Sequence, residues 1–266
     1  MVQKKFLVPN LFTGLNFLIG IYAILVMCET FAGPTPGKPI LGFTKAPIIL
    51  ASWMIVWCNL LDKLDGYAAR ILKASSDFGA QFDSLADLTA FGIAPGLLVY
   101  FYVESADYAW FVGHRPLLIA SVSLYMLCAC MRLARYNAID SEELANWFHG
   151  LPSTFAGGFM AVSVVLFSKY GLDTRIPGGM LVLPLLLILT GILMVSPLYL
   201  PKLMRRQNKA VNLIQLLNVI AGYICGFGMI FPEYLYGLAL TYGLIGFTFG
   251  YFKKGMIQSP APPDSD

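Results

Sequence analysis

Four aspartates fall at two helical spacings in one short stretch: Asp62 and Asp65 are three apart, Asp83 and Asp87 four apart. Residues three or four apart on a helix share a face, so each pair points two carboxylates one way. If their helices are antiparallel neighbours joined by the short polar turn 73–77, all four carboxylates converge at one rim. Anions gathered in a low-dielectric setting repel one another, and such groups in membrane helices are costly and usually functional. Divalent cations resolve the repulsion, because hard ions such as Mg²⁺ take carboxylate, phosphate and water oxygens. Two of them can hold both the attacking and the leaving oxygen of a phosphoryl displacement. Among the acids, Gly66, Ala69 and Gly79 are small enough for a nucleotide to approach the backbone. Arg70 offers a planar cationic fork to a phosphate. A solvated charged loop is the plainer reading. A lone Asp-x-x-Asp would favour it; four acids embedded in apolar sequence do not.

The elements that must carry these acids are read from hydropathy. Of 266 residues 58% are hydrophobic and only 12% charged, about half the charged fraction of an ordinary globular domain. Mean hydropathy is +0.69. A membrane span takes about 20 mainly apolar residues. Eight runs qualify, near 10–29, 46–72, 78–103, 115–136, 150–170, 179–199, 211–231 and 234–252. The expectation is an all-α, polytopic transmembrane helix bundle. Residues 1–258 form one transmembrane catalytic domain, and the Pro-rich acidic tail 259–266 is disordered. The first run lacks a signal-peptide n-region and cleavage pattern, so it reads as a permanent span. With the N-terminus inside, thirteen of the 18 Lys and Arg residues lie on the inner side, and Lys38, Lys45, Arg115, Lys169 and Arg175 on the other. That excess follows the positive-inside rule and puts both termini and the acids in the cytoplasm. Gly33–Pro39 reads as a turn-rich external connector. Five cysteines in apolar stretches, without metal-site spacing, read as small buried hydrophobes. A net charge of +3 gives no reason to expect a nucleic-acid partner.

The acidic stretch resembles the CDP-alcohol phosphotransferase family. Its motif, Asp-x2-Asp-Gly-x2-Ala-Arg, eight residues, then Gly-x3-Asp-x3-Asp, is met by Asp62, Asp65, Gly66, Ala69, Arg70, Gly79, Asp83 and Asp87. The resemblance implies six core helices with a cytoplasmic-side site, two further spans lying outside that core, and a homodimer. In the prokaryotic case the location would be the cell (inner) membrane. It implies that Asp62, Asp65, Asp83 and Asp87 hold two divalent cations, Mg²⁺ or Mn²⁺, and that Asp87 is also the general base. Gly66, Ala69, Arg70 and Gly79 would line the site for the CDP-linked lipid. Pro9, Asn10, Thr13 and Asn16 resemble the family's opening Pro-Asn-x2-Thr element near the nucleotide. Pro9 and Asn10 read equally as a capped helix start.

The acceptor alcohol must be recognised elsewhere. Asp83–Pro95, Arg132-Leu-Ala-Arg135-Tyr-Asn137 and Phe148–Thr154 resemble the phosphatidylserine synthase branch, which archaetidylserine synthases also resemble. Arg132 and Arg135, three apart, share a face at the inner end of the fourth span. An arginine can hold the carboxylate of L-serine in bidentate fashion, and Asn137 or a carbonyl can meet its ammonium. The competing reading is two positive-inside anchors whose heads snorkel to the headgroups. His149 reads as polar lining or as an interfacial residue; His114 falls outside. Glycerol 3-phosphate, inositol phosphate or choline are alternative acceptors. A cation transporter is a distant alternative, which would place acids near the midplane on broken helices.

Overall fold

The computed structural model describes residues 7–28, 47–72, 76–106, 108–138, 147–176, 178–202 and 209–257; at 7–9, 65–72, 108–109, 174 and 253–257 it describes the backbone alone. The connector 33–39, most of the turn 73–77 and the tail 259–266 lie outside the described residues. Helices stand at all eight expected places. They are α1 (Leu7–Cys28), α2 (Pro47–Leu72), α3 and α4 (Asp77–Asp87 and Ala94–Ala106), α5 (Tyr108–Ala138), α6 (Ser153–Tyr170), α8 (Gly179–Val195), α9 (Lys209–Gly228) and α10 (Pro232–Ile257). A single turn, α7 (Leu172–Arg175), links α6 to α8. Among the described residues, six helices are long and apolar enough to cross a membrane. α8 is shorter, with 17 residues, because Ser196 and Pro197 stop it.

Two departures from the hydropathy reading matter. First, the third span is not a uniform α-helix. A π-helical segment, Leu88–Ile93, joins α3 to α4 directly after Asp87. Its cause is local: Pro95 has no N–H to give to the Phe91 carbonyl, while the Ala94 N–H reaches back five residues to Thr89. An unpaired carbonyl in an apolar interior is costly, and the Tyr125 hydroxyl of α5 donates to Phe91 O at 2.8 Å. Second, a short antiparallel pair forms between β1 (Trp147–His149) and β2 (Tyr199–Pro201). Three-residue strands are too short to leave a period in the sequence.

α6 lies at the centre, packed against α2, the π segment, α4, α8 and α10. Its small residues allow this. A Cβ on Gly157 would stand 2.9 Å from Phe91 Cα, and one on Gly158 would clash with the Asn59 amide. Gly20 of α1 approaches Ala90 likewise, with a would-be Cβ 3.2 Å from its Cα. The buried hydroxyls of Ser52 and Ser163 are satisfied within their own helices, on Ile48 O and Phe159 O. All five cysteines are free. Gly157→Ala is expected to cost about 1–3 kcal/mol through overpacking against Phe91. Thermal unfolding of the detergent-solubilised protein should record it as a lower midpoint.

Candidate active site

α2 and α3 do bring acids together. Asp62, Asp83 and Asp87 each offer a carboxylate oxygen, and these oxygens lie within 4.8 Å of one another. Asp62 comes from the second half of α2; Asp83 and Asp87, one turn apart, end α3 at the π segment. Ser76 caps α3 by accepting the Gly79 N–H at 3.0 Å, which fixes where Asp83 and Asp87 emerge. Asp87 is only 7% exposed, and one oxygen on each of Asp83 and Asp87 is buried without a hydrogen-bond partner. Unpaired carboxylate oxygens at this separation suit a hard cation, whose oxygen ligands they would supply. Asp65, Gly66, Ala69 and Arg70 continue along the same helix, in the stretch where only the backbone is described.

The first helix closes one side. Asn10 presents Oδ1 3.2 Å from where a Gly79 Cβ would stand, so a larger residue there would press on both Asn10 and Ser76. α1 is already helical from Leu7, which leaves Asn10 inside the helix and not at a cap position. Thr13 and Asn16 follow inward, both buried. Asn16 is wholly enclosed, and neither atom of its amide has a partner. Its backbone carbonyl accepts the Cys58 thiol at 3.5 Å. Cys58 is in turn within electrostatic reach of Asp62 and Asp87.

The two arginines separate. Arg132 Nη1 donates to Ser153 Oγ at 2.6 Å, and its guanidinium is within electrostatic reach of Asp87 and Asp62. Arg135 is directed elsewhere. Its Nη atoms donate to the carbonyls of Val195 (3.0 Å), His149 (2.9 Å) and Met194 (3.0 Å). The last carbonyls of a helix have no partner within it. Arg135 supplies donors at the end of α8, and the Leu151 N–H takes Leu193 O at 2.9 Å. Gly150 has φ 78° and lies against Met194 O, where a Cβ would clash. Asn137 exchanges hydrogen bonds with Ser84, the neighbour of Asp83 (2.9 and 3.2 Å). His149 stacks on Tyr199 with centroids 5.3 Å apart. Burial, and then the Arg135 charge, hold its imidazole below the usual range.

Two residues of the site carried no assigned role in the sequence. Ser153, fully buried, is the partner of Arg132. Asn59, three before Asp62, donates to Thr154 O at 2.8 Å and ties α2 to the first turn of α6. A polar residue one turn before an acid, in an apolar run, was the available signal for Asn59.

The sequence pattern of CDP-alcohol phosphatidyltransferases matches residues 6–202. The chain belongs to the CDP-alcohol phosphatidyltransferase family. Members of this family use divalent cations, and the cluster of Asp62, Asp83 and Asp87 fits that use. α9 and α10 lie beyond the matched region. The chain is 29% identical over 252 residues to a Helicobacter pylori protein named CDP-diacylglycerol–serine O-phosphatidyltransferase, covering 93% of this chain and 94% of the relative. A Methanocaldococcus jannaschii protein of the same name is 30% identical over 201 residues, covering 75% and 84%. A Bacillus subtilis protein of that name is 42% identical over 98 residues, covering 36% and 50%.

Arg135→Met should strip donors from three backbone carbonyls, each costing about 1–3 kcal/mol when left buried and unpaired. Thermal unfolding should fall steeply. Hydrogen exchange should rise at the end of α8 and in β1.

Proposed function

We propose that this protein moves a phosphatidyl-type group from a CDP-linked lipid, diacyl or archaeal ether, to the hydroxyl of L-serine and releases CMP. The observation that carries this is the convergence of Asp62, Asp83 and Asp87 within 4.8 Å, in a chain of this family. The relatives named for the serine reaction support the acceptor. So does Arg132, whose guanidinium is within electrostatic reach of Asp87 and Asp62. The basic-residue bias supports a site and both termini on the cytoplasmic side. Resemblance to the family supports a homodimer, and residues 1–258 as one catalytic domain.

Asp62, Asp83 and Asp87, with Asp65 on the next turn of α2, would hold two divalent cations, Mg²⁺ or Mn²⁺. When bound, these neutralise the diphosphate and the charge that develops on CMP. Asn10, Thr13, Asn16, Gly66, Ala69, Arg70 and Gly79 surround the CDP moiety, the glycines and alanine by leaving room and Arg70 by pairing with a phosphate. Arg132 holds the serine carboxylate. Arg135, committed to three carbonyls, positions β1 and the end of α8 behind it. Asn137 lines the same side through its bond to Ser84.

Asp87 accepts the proton of the serine hydroxyl. The serine oxygen then forms a bond to the β-phosphorus, and the bond from that phosphorus to the bridging oxygen breaks. CMP departs with the electron pair. No covalent enzyme intermediate is needed.

Purified protein given CDP-diacylglycerol should release CMP with labelled serine and not with glycerol 3-phosphate, inositol phosphate or choline; release with one of the others and not with serine would assign that acceptor instead. Asp87→Asn should lower kcat by about 10²-fold or more while CDP still raises the unfolding temperature. Wild-type turnover in that variant would remove Asp87 as the base. Arg132→Lys, which loses the fork, should raise the serine KM about tenfold, equivalent to about 1.4 kcal/mol, with little effect on the KM for the CDP-lipid.

A further inference from the structure

α9 lies outside the matched catalytic region, and most of its surface faces away from the bundle. It touches α2 along one narrow strip, and that strip ends beside an acid of the site. The Trp57 indole donates to Gly226 O at 3.1 Å. One turn on in both helices, the Tyr223 hydroxyl donates to Leu60 O, also at 3.1 Å. The two bonds run in opposite directions between antiparallel helices, so neither helix can slide without breaking both. Gly226 makes the approach possible, since a Cβ there would stand 2.7 Å from Leu60 Cδ1. Gly222 and Cys225 complete the buried edge of α9.

Leu60 is two residues before Asp62, about 3 Å along the helix axis. The Tyr223 phenol is within electrostatic reach of the Asp62 carboxylate. A second hydrogen bond on the Leu60 carbonyl anchors the turn from which Asp62 projects. Its donor comes from a helix that the matched region does not include. On the other side the same turn is tied by Asn59 to α6. Asp62 thus projects from a stretch of α2 held on two sides.

We infer that Tyr223 is a positioning residue for Asp62: the appended helix α9 completes the cation site by fixing the α2 turn that carries this ligand. The inference rests on the proposed divalent-cation site. It predicts that losing one hydroxyl on α9 weakens cation binding at a carboxylate that it does not touch.

Mn²⁺ binding to the full-length protein in detergent, with CDP present, can be followed by the paramagnetic resonance of free Mn²⁺, without turnover. Tyr223→Phe should raise the half-saturating Mn²⁺ concentration about fivefold, the effect of one hydrogen bond of about 1 kcal/mol. Trp57→Phe breaks the companion bond one turn farther from Asp62. It should lower the unfolding temperature and leave Mn²⁺ binding within twofold of the parent. Gly226→Ala, whose added methyl presses on Leu60, should shift Mn²⁺ binding in the same direction as Tyr223→Phe. Equal shifts in Tyr223→Phe and Trp57→Phe, or no shift in Tyr223→Phe, would reduce α9 to a strut and overturn the inference. A parent protein that binds no Mn²⁺ would overturn the cation site as well, so the two failures are told apart.

Discussion

Carboxylates in an apolar bundle want to be apart, and here three are held within 4.8 Å. At that separation and in low dielectric their repulsion is severe. The arrangement holds because no single loop bears it. Asp62 rides on a helix wedged between α1 and α6, and Asp83 and Asp87 on a helix capped by Ser76. Arg132 supplies positive charge within electrostatic reach of Asp87 and Asp62, and Lys63 also reaches Asp62. The unpartnered oxygens of Asp83 and Asp87 are the remaining imbalance, and a divalent cation is the chemistry that relieves it.

Holding the acids so tightly demands close backbone approach around them. Gly20 and Gly157 let α1 and α6 close on the π segment from two sides, and Tyr125 seals the carbonyl that Pro95 leaves open. The π segment is thus a supported irregularity, placed immediately after Asp87. Widened helical turns of this kind gather at functional sites. The end of α8 follows the same logic. Its open carbonyls are met by Arg135 and by the Leu151 N–H, so the segment leading into Ser153 is anchored. Ser153 in turn steadies Arg132.

Away from the acids the bundle is looser. α9 and α10 present apolar side chains outward, as lipid-facing helices do, and are joined to the core by a few specific bonds. Lys169 and Tyr170 at the end of α6 meet Glu233 at the start of α10. Tyr242 of α10 donates to Pro201 O in β2 at 2.7 Å. In hydrocarbon, where burial gives helices no reason to associate, such bonds and small-residue contacts do the holding.

The sequence by itself determined the helices and singled out the acids that stand together. Eight apolar runs recur as helices, six of them, among the described residues, long and apolar enough to cross a membrane, because the backbone bonds of a helix close within consecutive residues. The four-residue spacing of Asp83 and Asp87 put both on one face of α3, since that period is local geometry; their meeting with Asp62 needed α2 and α3 to be brought together. Tertiary structure alone decided what the polar groups between helices do. Arg132 and Arg135 look alike in sequence, yet one binds Ser153 within electrostatic reach of the acids and the other closes the end of α8. That difference depends on where residues 149, 153, 194 and 195 arrive, some 14 to 60 positions away. The π segment had a local cause in Pro95 but needed Tyr125 from another helix to persist. The β1–β2 pair and the Tyr223 bond to Leu60 join residues 52 and 163 positions apart. No periodicity spans such distances; only packing brings those partners together.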